Sequence, residues 1–311
     1  MLTSRSNSSG PRVHRALLCG FAALLVGLIL VPFAAAAPKI AFFKTDGYGG
    51  PGHIWTIAPD GSGLKQLTSG SPSDGGPAWS PGRGTIAFIR SASSSSDEPA
   101  RIMLMRSDGT HLRQLKYSGP SLTTGSYVLA YSPDGRYLAG GCRVGDPNDW
   151  AVTVLDLKTR KSHIVCPFEC ENGVISISWS PDGKRLAASI EYGGGVGMLL
   201  VDVAGRRLIK NVGGYGSVSW RPDGKYILAS YSLVGEPTQT WLLHADGSRA
   251  DRLGTDQREP MYSPDGKHYV FVVRGWWGYP CVLEYADGDG SHVRVVHRFS
   301  GKDYVGGLAW R

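Results

Sequence analysis

The chain has 311 residues, of which 41% are hydrophobic and 19% are charged, and its formal net charge is +7. This hydrophobic content is enough for a buried core and excludes an intrinsically disordered chain. Glycine and proline are frequent, with 43 and 19 residues, but they follow no Gly-X-Y period, which excludes a collagen-like fibre. The composition indicates a globular fold that is rich in strands and turns.

The first 36 residues predict a secretory signal peptide. Arg5, Arg12 and Arg15 precede an apolar run over residues 16–31, and four alanines occupy positions 34–37. A basic start, an apolar run and an Ala-x-Ala end are typical of a signal that is cleaved, here after Ala36. The alternative is an uncleaved anchor, because residues 16–37 are nearly long enough to span a bilayer. Residues 37–311 are therefore expected outside the cytoplasm, as a secreted, periplasmic or cell-envelope protein.

The charge distribution of the exported part argues against a nucleic-acid partner. The signal carries three arginines and no acidic residue, so cleavage would lower the net charge from +7 to +4. The remaining basic residues are scattered among Asp-Gly turns and form no stripe, so we expect no nucleic-acid partner. No apolar stretch after the signal reaches spanning length, so no membrane span is expected after cleavage.

Internal repetition is the main signal in the rest of the chain. A unit made of an aromatic residue, a proline turn and an apolar strand recurs at intervals of 41 to 52 residues. The aromatic residues are Trp79, Tyr131, Trp179, Trp220 and Tyr262. In the Ser-Pro-Asp-Gly turn, Pro presets the first turn residue and Gly takes the left-handed position, which predicts a tight hairpin between two strands, A and B. The first copy departs from this string, with Gly82 and Arg83 in place of Asp and Gly.

A second hairpin, between strands C and D, completes each repeat. Its turns include Asp60-Gly61, Asp108-Gly109, Asp246-Gly247 and Asp287-Gly288. Four short strands per repeat are the content of one propeller blade. The last residues, 308–311, match a strand A without its turn, and residues 38–42 match the strand B that should follow. The sequence therefore predicts an all-β fold: a six-bladed β-propeller of four-stranded antiparallel blades, closed by pairing of the N- and C-terminal strands in one blade.

The repeated strings carry a family resemblance. Trp-Ser-Pro-Asp-Gly-Lys/Arg, followed by an apolar strand and an Asp-Gly hairpin, resembles the WD40-like (PD40) repeats of the TolB-type propeller family. The resemblance covers residues 38–311, so it implies a signal peptide at 1–36 and a TolB-like six-bladed propeller at 37–311. TolB proteins carry a separate domain before the propeller, whereas this propeller is expected directly after the signal. The role of TolB itself is therefore not implied.

The sequence contains no catalytic motif that we can identify. The Gly-x-Ser-x-Gly elbow of serine hydrolases is absent, and the seven histidines after the signal form no His-x-His or His-Glu-x-x-His string. Residues 47–52 match Gly-x-Gly-x-x-Gly, but Pro51 and the strand after it exclude the helix of a dinucleotide site. Residues 287–290 lack the later bidentate acid of a calcium loop. We expect no catalytic residue, no metal, no cofactor and no enzymatic activity.

Four cysteines follow the signal: Cys142, Cys166, Cys170 and Cys281. Oxidising conditions outside the cytoplasm favour disulfides. Cys166 and Cys170 are separated by three residues only and are the predicted pair. A metal site at this pair is the alternative, although no His lies at a suitable short spacing.

The predicted binding residues lie on what we call the long-loop face. This face carries the loops between strands D and A and those between strands B and C, at 44–53, 90–101, 142–150, 191–197, 231–239 and 274–280. Binding residues concentrate in such loops on rigid scaffolds. The last loop holds Arg274, Trp276, Trp277 and Tyr279, which are residue types enriched in binding hot spots. We predict that these four bind a ligand or partner; the alternative is a loop that folds back and caps the channel with its own rings.

Two functions are open from sequence. The first is an exported, monomeric, non-enzymatic module that binds a protein or a cell-envelope glycan, and it needs only the scaffold and its loops. The second is a propeller enzyme of the polysaccharide-lyase or hydrolase type, which needs His, Arg, Asp or Glu residues from several blades to converge at the central channel. A tight cluster with shifted pKa values at the channel mouth would favour the enzyme. The sequence favours the binding module.

Overall fold

The computed structural model describes residues 37–311 except 48–49, 83, 93–99, 124–126, 146–148, 170–172, 193–194, 232–236 and 274–279. The predicted signal peptide lies outside the described residues, so its cleavage or retention stays a prediction. Within the ranges that are described, no helix has the length and hydropathy needed to cross a bilayer.

The described residues form strands, numbered here along the chain, in six four-stranded antiparallel sheets. The first strands are β1 (Ile40–Thr45), β2 (Gly52–Ile57) and β3 (Lys65–Gln66). Blade 1 contains β4 (Ser73–Trp79), β5 (Thr85–Ser91), β6 (Arg101–Arg106) and β7 (Arg113–Gln114). Blade 2 contains β8 (Leu129–Tyr131), β9 (Tyr137–Arg143), β10 (Asp149–Asp156) and β11 (Lys161–Glu169).

The next three blades repeat the same order of strands. Blade 3 contains β12 (Gly173–Trp179), β13 (Arg185–Tyr192), β14 (Gly195–Asp202) and β15 (Arg207–Gly213). Blade 4 contains β16 (Tyr215–Trp220), β17 (Tyr226–Tyr231), β18 (Gln239–His244) and β19 (Arg249–Thr255). Blade 5 contains β20 (Arg258–Tyr262), β21 (His268–Val273), β22 (Val282–Asp287) and β23 (Arg294–Arg298), and the last strand is β24 (Tyr304–Trp310).

Blade 6 is assembled from both ends of the propeller, in the order β24-β1-β2-β3. Ala41 pairs with Ala309 and Thr45 pairs with Tyr304 across β1 and β24. Beyond the strand, the backbone N–H of Arg311 donates to the carbonyl of Lys39 at 3.0 Å. The predicted six-bladed propeller and its closure by the terminal strands are confirmed.

The A–B turns are held by a repeated set of hydrogen bonds. In blade 3, the hydroxyl of Ser180 donates to the carboxylate of Asp182 at 2.6 Å and accepts the N–H of Arg185 at 2.9 Å. The same bonds recur around Ser132 in blade 2 and Ser263 in blade 5. Local chemistry of the Ser-Pro-Asp-Gly string is therefore enough to build the turn.

The glycine of the A–B turn also allows a close approach between blades. At Gly266, where φ is +67°, an added Cβ would lie 3.1 Å from Cδ of Pro222 in blade 4. The turn glycines at 135, 183 and 224 likewise face the turn proline of the preceding blade. Successive A–B turns therefore pack on one another around the ring.

The hydrophobic core is divided into clusters that lie between neighbouring blades. Trp179 of β12 shares a buried cluster with Val152 of β10, and Trp220 of β16 shares one with Leu200 of β14. Trp79 and Tyr262 are placed in the same way at two other blade interfaces. The repeated aromatic residue therefore packs against the blade before it, because a large ring buries the most area there.

The A–B turns predict a loss of stability in acid. Hydrogen bonds from the serine hydroxyls are the largest cause that lowers the pKa of Asp134, Asp182 and Asp265. Because an unfolded Asp has a pKa of about 3.9, these carboxylates stabilise the fold above about pH 4, and that contribution is lost as the pH falls through the lowered values. We expect thermal melts to fall below about pH 4, and to fall less in the triple Asp→Asn variant. A fall of equal size in both proteins would contradict this origin.

Candidate functional site

The innermost strand of each blade, strand A, faces a central channel. These strands contact one another around the ring, from β4 through β8, β12, β16 and β20 to β24. They enclose a cavity of about 420 Å³ that is lined from every blade. The lining residues include Tyr127, just before β8, and Tyr304, the first residue of β24. Since strands A begin on the long-loop face, the cavity lies toward that face.

The lining of this channel is mainly apolar and aromatic. Its large side chains include Phe43, Tyr127, Ile175, Met261, Tyr304 and Leu308. Tyr127 is 52% exposed and Ile175 is 40% exposed, although both belong to residue types that are usually more buried. The rings of Phe43 and Tyr304 lie in contact, with their centroids 5.7 Å apart. Exposed apolar side chains that are gathered in a concave site are typical of a binding surface.

Among the described residues, the innermost strands of five blades have a bulge, namely β4, β12, β16, β20 and β24, and in three neighbouring blades the bulge contains a residue with positive φ. The innermost strands β20, β24 and β4 each have a bulge, where the pairing with the adjacent strand shifts by one residue. One residue of each bulge has a left-handed backbone: Glu259 (φ +53°), Gly307 (φ +62°) and Gly76 (φ +57°). Glycine adopts this conformation without strain, whereas glutamate does not.

Glu259 is the one charged side chain among the described residues that line the channel. Its carboxylate accepts a hydrogen bond from the backbone N–H of Gly307 in the next blade. An added Cβ at Gly306 would lie 2.8 Å from Oε1 of Glu259, so glycine at that position makes room for the carboxylate. Glu259 is not among the residues predicted from sequence, although alignment of Gly75-Gly76-Pro77 with Arg258-Glu259-Pro260 before the repeated aromatic residue shows the exchange.

The four predicted binding residues, Arg274, Trp276, Trp277 and Tyr279, lie outside the described residues, and their role stays a prediction. The strand ends on either side are described. Val273 at the end of β21 pairs with Val282 at the start of β22, and its neighbour Val272 pairs with Arg258 of β20. The loop therefore starts from blade 5 on the long-loop face, beside the strand that carries Glu259.

The cysteines give no reactive site in the described part of the chain. Cys142, Cys166 and Cys281 are buried. Burial raises the pKa of the Cys142 and Cys166 thiols, which makes them poor nucleophiles. Cys170 lies outside the described residues, so its pairing with Cys166 stays a prediction. No group of three or more His, Cys, Asp or Glu side chains among the described residues is arranged to hold a metal ion.

A second concavity, of about 700 Å³, lies between blades 4 and 5 on the opposite face. It is lined by charged residues of both signs, among them Asp251 and Arg252 of the edge strand β19 and Asp265 and Lys267 of an A–B turn. The carboxylate of Asp265 is already engaged by Ser263 and by the backbone of Lys267. These side chains belong to an edge strand and to turns that build the fold itself, so the channel is the stronger candidate site.

The fold and the channel define a closed six-bladed β-propeller with a concave, mainly apolar site on its axis. A family model described as the TolB beta propeller domain (PD40) matches residues 83–296, which is more than half of the chain. The chain belongs to this TolB β-propeller family. A search of curated proteins found no match.

Solved structures with the same fold have different functions. TolB from Acinetobacter baumannii is 18% identical with a TM-score of 0.70; the match covers 88% of this chain but only 66% of that TolB, which is less than two thirds of its length. A chain of a nidogen/laminin complex is 10% identical with a TM-score of 0.62, and the match covers 88% of this chain and 98% of that chain. An oligogalacturonate lyase in complex with manganese is 18% identical with a TM-score of 0.56, and the match covers 84% of this chain and 74% of the lyase. At these identities the likeness concerns the fold alone.

Proposed function

We propose that the protein is an exported, non-enzymatic binding module that recognises a protein or a cell-envelope polymer at the long-loop face of its propeller. The observation that carries this proposal is the channel lining, where exposed apolar and aromatic side chains surround a single carboxylate, Glu259. A concave site of this composition offers the apolar contact area that recognition requires. The structural likeness to a chain of a nidogen/laminin complex is consistent with a propeller that binds protein.

A propeller enzyme of the polysaccharide-lyase or hydrolase type is the second candidate, and the likeness to an oligogalacturonate lyase favours it. Such chemistry needs an acid, a base and charge-stabilising groups that converge on the substrate. The described part of the channel lining contributes one carboxylate and neither His, Lys nor Arg. The composition of the lining therefore supports binding over catalysis.

The proposed location follows from the predicted signal peptide, residues 1–36, and from the expectation that no membrane span follows it. If residues 1–36 direct export, the propeller acts in the periplasm, in the cell envelope or outside the cell, as a monomer. Its partners are then proteins or glycans of that compartment. Fractionation of cells that express the full chain, with detection of the mature N-terminus, tests the location separately from binding.

The predicted aromatic loop supplies the first test of binding. We expect the double variant Trp276→Ala/Trp277→Ala to lose capture of the partner from envelope extract, or of a glycan on an array, with an unchanged melting temperature. The matched control is Leu208→Ala/Ile209→Ala, two exposed apolar residues on the edge strand β15, away from the channel. This control should keep binding. A large drop in melting temperature for the tryptophan variant would instead mean that the rings pack on the channel.

A further inference from the structure

The side chain of Tyr127 is held in the channel lining with part of its ring open. Its hydroxyl donates to Oγ of Ser91, at the end of β5, at 3.2 Å. The ring lies against blade 1, where an added Cβ at Gly75 would be 3.4 Å from Cδ1 of Tyr127, and an added Cβ at Gly76 would collide with the carbonyl oxygen of Tyr127. Tyr127 is nevertheless 52% exposed. The polar tip is therefore bonded within the protein, whereas an apolar part of the ring is available in the cavity.

We propose that the channel binds the end of a neutral glycan chain, and that a sugar ring stacks on the ring of Tyr127. This inference rests on the proposed binding function and names the class of polymer for that site. Sugar rings carry apolar C–H groups on their faces, and these groups pack on the face of an aromatic side chain. Ile175, which is 40% exposed in the same lining, extends the apolar contact.

The polar groups of the lining match the hydroxyls of a sugar. Ser176 and Ser217 contribute to the lining. Strand A is also the inner edge of each four-stranded sheet, so backbone N–H and C=O groups on its inner side are directed toward the channel. Because a sugar hydroxyl both donates and accepts hydrogen bonds, it can use a neutral mixture of donors and acceptors of this kind.

The bulges in the channel wall favour a glycan over an extended peptide. A peptide that adds a strand to a sheet needs a regular row of backbone groups along the edge. The innermost strands β4, β12, β16, β20 and β24 each contain a bulge, and β8 has only three residues. A bulge interrupts the regular pairing and leaves single backbone groups without a strand partner. Isolated donors and acceptors suit the scattered hydroxyls of a sugar better than the regular backbone of a peptide.

The charge and the size of the cavity limit the kind of glycan. The described lining contains no His, Lys or Arg side chain. A uronic acid or a phosphorylated sugar would therefore lose hydration without gaining an ion pair. The volume of about 420 Å³ lies in the lower part of the range of ligand pockets, roughly 300–1,000 Å³. We therefore expect the end of a neutral chain to enter the cavity.

A structural role is the competing explanation, because the hydrogen bond between Tyr127 and Ser91 joins the residues before β8 to blade 1. Two substitutions separate the explanations. Tyr127→Phe removes this hydrogen bond and keeps the ring, whereas Tyr127→Ala removes both. If the ring binds a sugar, only Tyr127→Ala should lose affinity. If the side chain only joins the blades, both variants should have a lower melting temperature and neither should lose affinity.

The experiment begins with an array of neutral oligosaccharides of glucose, galactose, mannose and N-acetylglucosamine, beside the same chains that carry uronic acids or phosphate. The protein is purified from cells that express the full chain. We expect it to bind neutral chains, and titration calorimetry with the best oligosaccharide measures the affinity. Tyr127→Ala should lower the affinity about tenfold, and Tyr127→Phe by less than about threefold. The matched control is Leu112→Ala, an exposed apolar residue before β7 and outside the lining, which should bind normally.

Four results would overturn the inference. The first is capture of a protein from envelope extract by the channel while every neutral oligosaccharide fails to bind. The second is an equal affinity of the original chain and Tyr127→Ala, and the third is an equal loss in Tyr127→Phe and Tyr127→Ala. The fourth is a preference for the acidic chains. Each of these leaves the binding module standing, whereas failure of both the array and the envelope extract to yield any ligand would count against the proposed function itself.

Discussion

Deletion of residues 306–311 should open the propeller and lower its free energy of unfolding by about 5 kcal/mol, which is comparable to the whole stability of many domains. The segment buries Leu308 and Ala309 almost completely and forms most of the pairing between β24 and β1. Burial of one large aliphatic side chain contributes about 1.5–3 kcal/mol, and the lost strand pairing adds to this. The deletion also removes Arg311, whose guanidinium stacks 4.4 Å from the ring centre of Trp79 in blade 1.

The structural consequence of this deletion is an unpaired strand. Without residues 306–310 of β24, most of β1 loses its partner and becomes an exposed sheet edge, and such edges promote aggregation. Urea and thermal melts of the deletion variant should therefore show a large shift and added aggregation. Lys302→Ala, an exposed substitution in the turn before β24, is the control and should melt like the original chain. If the deletion variant also melts like the original chain, blade 6 does not hold the ring closed.

The sequence was sufficient for the features that local chemistry determines. Each Ser-Pro-Asp-Gly string supplies its own hydroxyl, carboxylate and left-handed glycine, so the turn forms from four or five adjacent residues. The apolar runs on either side of each turn predict the strands. Four strands in each of six repeats then predict a six-bladed propeller. In two blades strand D is short, because β3 and β7 pair over two residues each. These strands lie at the outer edge, where burial does not extend the pairing.

The candidate site depends on contacts that no local string contains. Glu259 reaches the N–H of Gly307, 48 residues further along the chain, and its neighbour Gly306 leaves it room. The predicted site lies in the loop at 274–280 because that loop is rich in aromatic residues, whereas the described channel is built from strands. The same limit applies to the contact between Gly266 and Pro222 of another blade, since the local string predicts only the left-handed φ of this glycine. Comparison of equivalent repeat positions is the signal that could have found these residues.

A buried ion pair in blade 1 leads to the second large expected effect. Asp74 in β4 lies opposite Arg90 in β5, and two hydrogen bonds, at 2.7 and 2.8 Å, join the carboxylate to the guanidinium. The side chain of Asp74 is fully buried, whereas that of Arg90 is 20% exposed. The hydrogen bonds to Asp74 are the largest cause that raises the pKa of Arg90. This pair fixes the ends of the two strands next to the long-loop face.

Replacement of Arg90 by Met should destabilise the protein by about 3–5 kcal/mol, because it leaves the Asp74 carboxylate buried without its partner. Asp74→Asn should cost less, since the guanidinium of Arg90 can still reach water. The double variant Asp74→Asn/Arg90→Met should recover much of the loss, because it leaves no buried charge. Urea melts of the original chain, the two single variants and the double variant measure these free energies of unfolding. A loss in the double variant that equals the sum of the two single losses would contradict the coupling.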